Sequence, residues 1–313
     1  MKKVSVVIPM YYEEDVAQIC YDRLNVVLEE LKKEYDYEII FVNDGSKDKT
    51  LSILKSIADE NKNIKIISFS RNFGHQAAVT AGIKEVSGDA IVIMDADLQD
   101  PPELIPDMLK LWEDGYEVIY GKRNTRKGES AFKLLTAKMF YSFLNAMSEV
   151  EIPKNTGDFR LVDRSVIDVI NNLPEHNKFL RGLFSWVGFE QKEFLYDRPK
   201  REFGETKYPF KKMMKLAKDG IISFSTKPLK IVGGLGIFSI LLSMIILIYS
   251  ILSYALNWNN LADGWTSIMV CITFFAGVQL FSLWIMSEYI SRIYDESKGR
   301  PEYIIKEKIN IDK

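Results

Sequence analysis

Ala90-Ile91-Val92-Ile93-Met94-Asp95-Ala96-Asp97-Leu98-Gln99-Asp100-Pro101-Pro102 is the stretch that decides the fold. Its first five residues are apolar without interruption, which suits a strand buried on both faces of a parallel sheet. The acidic run and the two prolines then stop that strand abruptly. Working outward, residues 4–8, 38–42, 64–69 and 117–120 read as further strands, the first three nearly continuous in apolar residues. Between them, residues 13–34, 48–61, 75–86 and 102–114 carry helical periodicity, with stops at Gly88-Asp89 and Asp114-Gly115. Strand and helix in alternation predict right-handed βαβ crossovers and an α/β fold with an open, mostly parallel sheet.

Charge divides the chain. The 313 residues include 41 basic and 43 acidic side chains, a net charge of −2. Residues 231–287 hold one of these charges, Asp263, and the remaining 83 lie elsewhere. Such a chain is read as a soluble domain with a membrane anchor, and a fully soluble enzyme is excluded. Residues 1–197 carry 25 basic and 33 acidic groups, so no nucleic-acid surface is expected. Residues 198–230 reverse the balance, with 10 basic and 3 acidic groups just before the apolar stretch. A basic cluster there is what an anionic leaflet attracts.

Two spans, residues 231–256 and 265–286, each exceed the ~20 apolar residues needed to cross the hydrocarbon layer. Lys227 and Lys230 precede the pair, Arg292, Lys298 and Arg300 follow it, and residues 257–264 contain no Lys or Arg. The positive-inside rule puts both termini and the soluble domain in the cytoplasm, on a multi-pass protein of the inner cell membrane. Neither span carries a charge, so no transport path is expected through this chain alone. Residues 129–147 read as a helix apolar on most sides. In residues 209–224, Phe210, Met213, Met214, Ala217 and Ile221 form one stripe and Lys211, Lys215 and Lys218 the other. That pattern fits a helix lying in a membrane interface, or a core helix with a solvated lysine face. Cys20 and Cys271 suggest neither a disulfide framework nor zinc spacing, and the first residues are not expected to act as a signal peptide.

In an open α/β sheet, ligands bind beyond the carboxyl ends of the strands. The segments there are Pro9–Glu14, Asn43-Asp44-Gly45-Ser46, Ser70–Gly74, Asp95–Pro102 and Gly121-Lys122-Arg123. On an extended segment Asp95 and Asp97 point the same way, and Gln99 adds a third oxygen. Hard oxygen ligands of this kind suit Mg²⁺ or Mn²⁺. A lone D-x-D is weak, and the plainer alternative is that Asp97 or Asp100 caps the following helix. Asp44 reads either as a turn residue or as an acceptor for a base N–H beside Tyr11.

Taken together, PMYYEE, NDGS, SRNFGHQAAVTAG, DADLQDPPE, GKR, NTGDFRLVDR and R-x-x-G-x-T-K-Y resemble the inverting family 2 glycosyltransferases with a GT-A fold. Within them the chain resembles the polyisoprenyl-phosphate glycosyltransferases, bactoprenol glucosyltransferases and dolichol-phosphate mannose synthase among them. The resemblance covers essentially the whole chain. Tyr12 departs from the usual Asn, and Thr206 from the usual Ser. The resemblance implies that Pro9, Tyr11, Glu13 and Asp44 hold the base and ribose, and that Asp95, Asp97 and Gln99 hold the metal and diphosphate. It gives Arg201 and Lys207 to the donor diphosphate, Arg123 and Arg126 to the acceptor phosphate, and Asp158 to the catalytic-base position.

A phosphomonoester acceptor has a second pKa near ~6 and is mostly dianionic at neutral pH, so Asp158 is also read as an orienting group, or as a structural partner of Arg160 or Arg164. The expected divisions are residues 1–208 for the catalytic domain, 209–230 for the interfacial region, 231–287 for the two spans and 288–313 for a cytoplasmic tail. The expected activity is metal-dependent, inverting transfer of one sugar from a nucleotide sugar to a polyprenyl phosphate at the cytoplasmic face of the membrane. UDP-glucose or UDP-N-acetylglucosamine is the expected donor, with GDP-mannose or a modified pentose as alternatives, and the resemblance leaves a homo-oligomer open. A processive polysaccharide synthase shares the fold, but no glutamine here begins a Q-x-x-R-W motif. A non-catalytic nucleotide-sugar-binding adaptor is the remaining alternative, separated from both by assay of single-sugar lipid, polymer or nothing.

Overall fold

A computed structural model describes residues 1–124, 147, 150, 153, 156–176, 178–197, 220–256 and 264–311. The chain forms two compact units. One contains Met1–Asn145, Val150–Leu216 and Pro301–Lys313, and the other Ala146–Glu149 and Ala217–Arg300.

The first unit is built on a sheet whose central strands are β1 (Lys2–Met10), β2 (Tyr35–Asn43), β3 (Ile64–Phe69) and β4 (Ala90–Ile93). They run parallel in the order β3-β2-β1-β4. Val6, Val7, Ile8, Ile39, Ile40 and Val92 are fully buried, as expected for strands covered on both faces. Each such side chain contributes about 1.5–3 kcal/mol by leaving water. Helices α1 (Ala17–Leu31), α2 (Thr50–Glu60), α3 (His75–Glu85) and α4 (Ile105–Glu113) make the crossovers and cover those faces. Small residues let α3 lie close on β1. A Cβ on Gly82 would stand 2.2 Å from Val7 Cγ1.

Three strands beyond those read from the sequence complete the sheet. After β5 (Val118–Arg123) come β6 (Thr156–Asp163), β7 (Gln191–Tyr196) and β8 (Ile305–Ile309), giving the order β7-β5-β6-β4-β1-β2-β3-β8. β6 runs antiparallel to β4, with Arg160 opposite Ile93, so its first residues lie at the carboxyl end of β4. Two short helices, α5 (Arg164–Asn172) and α6 (Leu180–Trp186), separate β6 from β7, and the Asp163 side chain caps α5 by accepting from Ser165 N. The chain order along the sheet reverses between β1 and β4, the usual position of a ligand crevice.

The second unit contains α7 (Lys227–Ala255) and α8 (Trp265–Ser297). Lys227–Tyr249 and Val270–Ser297 are long and apolar enough to cross a membrane, with mean hydropathies of 2.7 and 1.8. Their large apolar side chains face outward; Ile240, Ile245 and Leu280 are 67%, 64% and 68% exposed. Water does not tolerate a surface of that extent. Residues 220–224 of the expected interfacial helix are helical, and residues 209–219 lie outside the described residues. Of the expected helix 129–147, Met147 alone is described, and it is helical. Residues 288–313, read as a tail, instead supply the end of α8 and all of β8.

Candidate active site

The end of β4 does not run on as an extended strand. It ends at Ile93, and Ala96-Asp97 form a turn in which Leu98 has a φ of +57°. The period-two argument for Asp95 and Asp97 therefore does not describe this backbone, although the two charges still act on one another. Asp97 Oδ1 accepts from Gln99 N at 3.1 Å, and Asp100 Oδ1 accepts from Tyr196 Oη at 2.6 Å. The residue preceding the helical turn at Pro102 is Pro101, which supplies no side-chain cap.

Antiparallel pairing of β6 with β4 carries Asp158 to Asp95. Asp158 is buried, and Arg181, in the first turn of α6, grips both of its oxygens, with Nε 2.7 Å from Oδ1 and Nη2 2.9 Å from Oδ2. His75, the first residue of α3, sits 3.0 Å from Asp158 Oδ2 and 3.8 Å from Asp95 Oδ1. Gln76, the next residue, accepts from Leu180 N at 3.1 Å and ties α6 to this corner. Burial alone would raise the Asp158 carboxyl, but the Arg181 charge and the His75 hydrogen bond hold it well below the usual carboxylate range. Burial opposes protonation of His75, yet Asp158 and Asp95 lift it to about 9. Asp95 is shifted upward, chiefly by burial and then by the charges of Asp158 and Asp97, with His75 and Arg181 working the other way.

His75, Asp95 and Asp158 offer ligand atoms within 4.8 Å of one another, a group that could hold a metal ion. Crowded hard oxygens with a raised carboxyl among them fit a divalent cation, because a positive charge would relieve that repulsion. Arg160, one of the partners expected for Asp158, donates instead to the carbonyl oxygens of Asp158 and Gly157 and lies over the Phe184 ring. Arg164, the other, donates to Gly88 O. Sequence reasoning missed Arg181 entirely, and it noted His75 as part of a motif and, with His176, as too few histidines for a His-rich metal site. Nothing local marks Arg181; the only sign for His75 was its place just after a glycine at a helix start.

Beside the carboxyl ends of β1, β2 and β3 lies a cavity of about 650 Å³. Tyr11, Tyr12, Asn43, Ser46, Arg71 and Asn72 contribute to its wall. Of the expected base and ribose residues, Tyr11 is in this lining, whereas buried Pro9 and Asp44 and half-buried Glu13 are not. Asp44 accepts from Phe73 N at 2.7 Å, Gly74 N at 2.9 Å and Asn72 Nδ2 at 2.7 Å. Its carboxylate thus shapes the loop that leads into His75. The next residue, Gly45, has a φ of +68°, and a Cβ there would stand 2.3 Å from the Arg71 carbonyl carbon. Glycine is required by both conformation and space. Tyr12 also lies in the left-handed region, with φ +55°. Asn tolerates that region better than Tyr, which gives a physical reason for the Asn usual at this position.

Arg123 ends β5. Its Nε is buried with no hydrogen-bond partner among the described residues. A Cβ on Gly157 would stand 2.8 Å from Arg123 Nη2, so the glycine of T-G-D leaves this guanidinium room. Arg126, Arg201 and Lys207 lie outside the described residues.

Comparison with known proteins identifies the family. The family model described as "Glycosyl transferase family 2" matches residues 5–170. The uncharacterized glycosyltransferase YkcC of Bacillus subtilis (strain 168) is 49% identical over 311 residues, covering 98% of this chain and 94% of its own. A bactoprenol glucosyl transferase of Shigella phage SfV is 40% identical over 304 residues, covering 97% of this chain and 98% of its own. Among solved structures, glucosyl-3-phosphoglycerate synthase from Mycobacterium tuberculosis, in complex with Mn²⁺, UDP-glucose and phosphoglyceric acid, aligns with a TM-score of 0.47. Its identity is 18%, covering 71% of this chain and 78% of that one. A family match over more than half of the chain, joined by relatives similar along nearly all of it, settles the assignment: the chain belongs to glycosyl transferase family 2.

Proposed function

We propose that this chain transfers a single sugar from a nucleotide sugar to a polyprenyl phosphate at the cytoplasmic face of a membrane, with inversion at the anomeric carbon. The observation that carries the reading is the cluster of Asp95, Asp158, His75 and Arg181 at the reversal point of the sheet, in a chain with two apolar helices. The relative named a bactoprenol glucosyl transferase supplies the acceptor class and makes glucose the first choice of sugar. UDP-glucose and UDP-N-acetylglucosamine are the donors to test first.

In this reading a phosphate oxygen of the acceptor attacks the anomeric carbon as the bond to the nucleoside diphosphate breaks. The electron pair leaves with the diphosphate, and a dianionic acceptor has no proton to lose. Asp95, Asp97 and Gln99 would hold Mg²⁺ or Mn²⁺, which when bound offsets charge developing on the leaving group. Pro9, Tyr11, Glu13 and Asp44 serve the nucleoside, and Arg201 and Lys207 its diphosphate. Arg123 and Arg126 receive the acceptor phosphate; the Nε of Arg123, buried with no hydrogen-bond partner among the described residues, supports the first of these. Asp158 orients rather than abstracts. Its two oxygens are already committed to Arg181 and His75, and a carboxylate held so far below its usual range is a weak base.

We also propose that α7 and α8 cross the inner membrane as a hairpin with both termini cytoplasmic. Support comes from the flanking basic residues and from β8, which follows α8 in the chain yet pairs with β3, so the number of crossings between them is even. Residues 1–208 and 209–230 keep their proposed roles as catalytic domain and interfacial segment. The test is the purified full chain in detergent with undecaprenyl phosphate, labelled UDP-glucose, UDP-N-acetylglucosamine or GDP-mannose, and Mn²⁺. A single-sugar lipid of inverted configuration, lost on EDTA treatment, is expected. Polymer, or no product from any donor, refutes the reading.

A further inference from the structure

β8 pairs with β3 irregularly. Ile309, Lys308 and Glu307 stand opposite Ile66, Ile67 and Ser68, and then Ile305 stands opposite Phe69. Lys306 is the extra residue of this bulge. A bulge interrupts the alternation of a strand and re-aims one side chain, a device common beside active sites. Its neighbours are occupied: Glu307 accepts from Lys55 at 2.8 Å and Lys308 donates to Glu85 at 2.8 Å. Lys306 makes no ion pair among the described residues and instead lines the 650 Å³ cavity with Tyr11 and Tyr12. Lys47 and Arg71 share that wall, and among the described residues no carboxylate does, although the nearby Asp44 acts on Arg71. Three cations against one neighbouring carboxylate call for a ligand rich in oxygen acceptors.

We infer that Lys306 is a donor-binding residue, its ammonium donating to oxygen acceptors of the nucleoside diphosphate. The inference rests on the proposed donor class and deepens it. It makes the final strand part of the donor pocket, although that strand follows both apolar helices in the chain. One charge-assisted hydrogen bond corresponds to roughly a tenfold to hundredfold change in affinity.

The test is calorimetric titration of the full chain in detergent with UDP, GDP and uridine at fixed Mn²⁺. Lys306→Ala is expected to weaken UDP binding by tenfold or more, and Lys306→Arg to retain most of it. Lys308→Ala, which breaks only the pair with Glu85, should bind as the parent does. A loss for UDP but not for uridine assigns the contact to the diphosphate, and a loss for both assigns it to the nucleoside. Should the alanine variant lose its unfolding transition, Lys306→Gln repeats the comparison with the side-chain stem kept. Parental UDP affinity in a folded Lys306 variant overturns the inference while leaving the donor reading intact. Failure of the parent to bind UDP or GDP overturns the donor reading, and the role of Lys306 with it.

Discussion

Two carboxylates at opposite ends of one sheet are treated in opposite ways. Glu38, near the amino ends of the strands, is 1% exposed and receives Ser5 Oγ, Ser87 N, Ser87 Oγ, Lys3 Nζ and Lys65 Nζ. Burial alone would raise its pKa; Lys65, Ser5 and the other donors bring it down to about 2. Asp95, beyond the carboxyl end of β4, is raised by burial and by Asp158 and Asp97. Left-handed backbone occurs at both ends: at Tyr12 and Leu98 by the carboxyl end, and at Asn310, whose side chain donates to Ile64 O, by the amino end of β3. One end of the sheet is locally satisfied and holds it together. The other crowds the carboxylates of Asp95, Asp97 and Asp158 together with His75 and Arg181, a concentration of perturbed charge typical of functional sites.

The strongest way to break this comparison is Asp95→Asn. Removing a crowded charge should leave the unfolding temperature unchanged or raise it, while transfer falls at least ~10³-fold, about 4 kcal/mol in the barrier. Paired calorimetry and turnover check it, and a large loss of stability would mean that Asp95 is structural.

Glu38→Ala should do the reverse. Stranding Lys3 and Lys65 is expected to destabilise by about 3 kcal/mol, with turnover of the folded enzyme unchanged. Glu38 also has a pH signature. Its folded pKa of about 2 lies below the 4.5 of an unperturbed Glu, so its contribution is complete above 4.5 and disappears as pH falls towards 2. Glu38→Gln should therefore flatten the acid limb of the stability curve. An unchanged limb contradicts the assignment.

Asp158→Asn comes next, with an expected loss of about 10²-fold from a misplaced acceptor. Its rate should rise as the acceptor phosphate ionises near ~6 and then level off. Total inactivity at pH 8 with donor binding intact would make Asp158 the base after all.

Much of this contrast could be read from the sequence, and the reason lies in period. Residues 90–94 are a continuous apolar run and 64–69 a nearly continuous one, broken by Lys65 and Ser68, so the parallel centre and its crevice followed directly. β8, Ile-Lys-Glu-Lys-Ile, is five residues of alternating charge at an edge, and nothing in that pattern separates it from a solvated tail. The trio of His75, Asp158 and Arg181 was hidden for another reason. It is assembled by antiparallel pairing and a short helix across more than a hundred residues, and no local spacing encodes it.

The mildest test sharpens the comparison at the carboxyl end. Tyr12→Asn should relieve the cost of φ +55° and stabilise by ~0.5–1 kcal/mol, less whatever its edge-to-face contact with Tyr11 contributes. A lower unfolding temperature would show that the ring pair outweighs the backbone strain.

The pairing of Ile66 with Ile309 also imposes a schedule on biosynthesis. When β3 leaves the ribosome, the strand that will cover its outer edge has not been made, and both apolar helices must be synthesised first. At roughly 5–20 residues per second, that edge stays open for on the order of ten seconds or more. An open strand edge invites pairing with a neighbouring nascent chain, so this interval is when aggregation threatens most. Closing so long a loop costs only logarithmically more entropy than closing a short one, and the delay is kinetic rather than thermodynamic. Synthesis of the helix pair thus becomes a step on the folding pathway of the sheet itself.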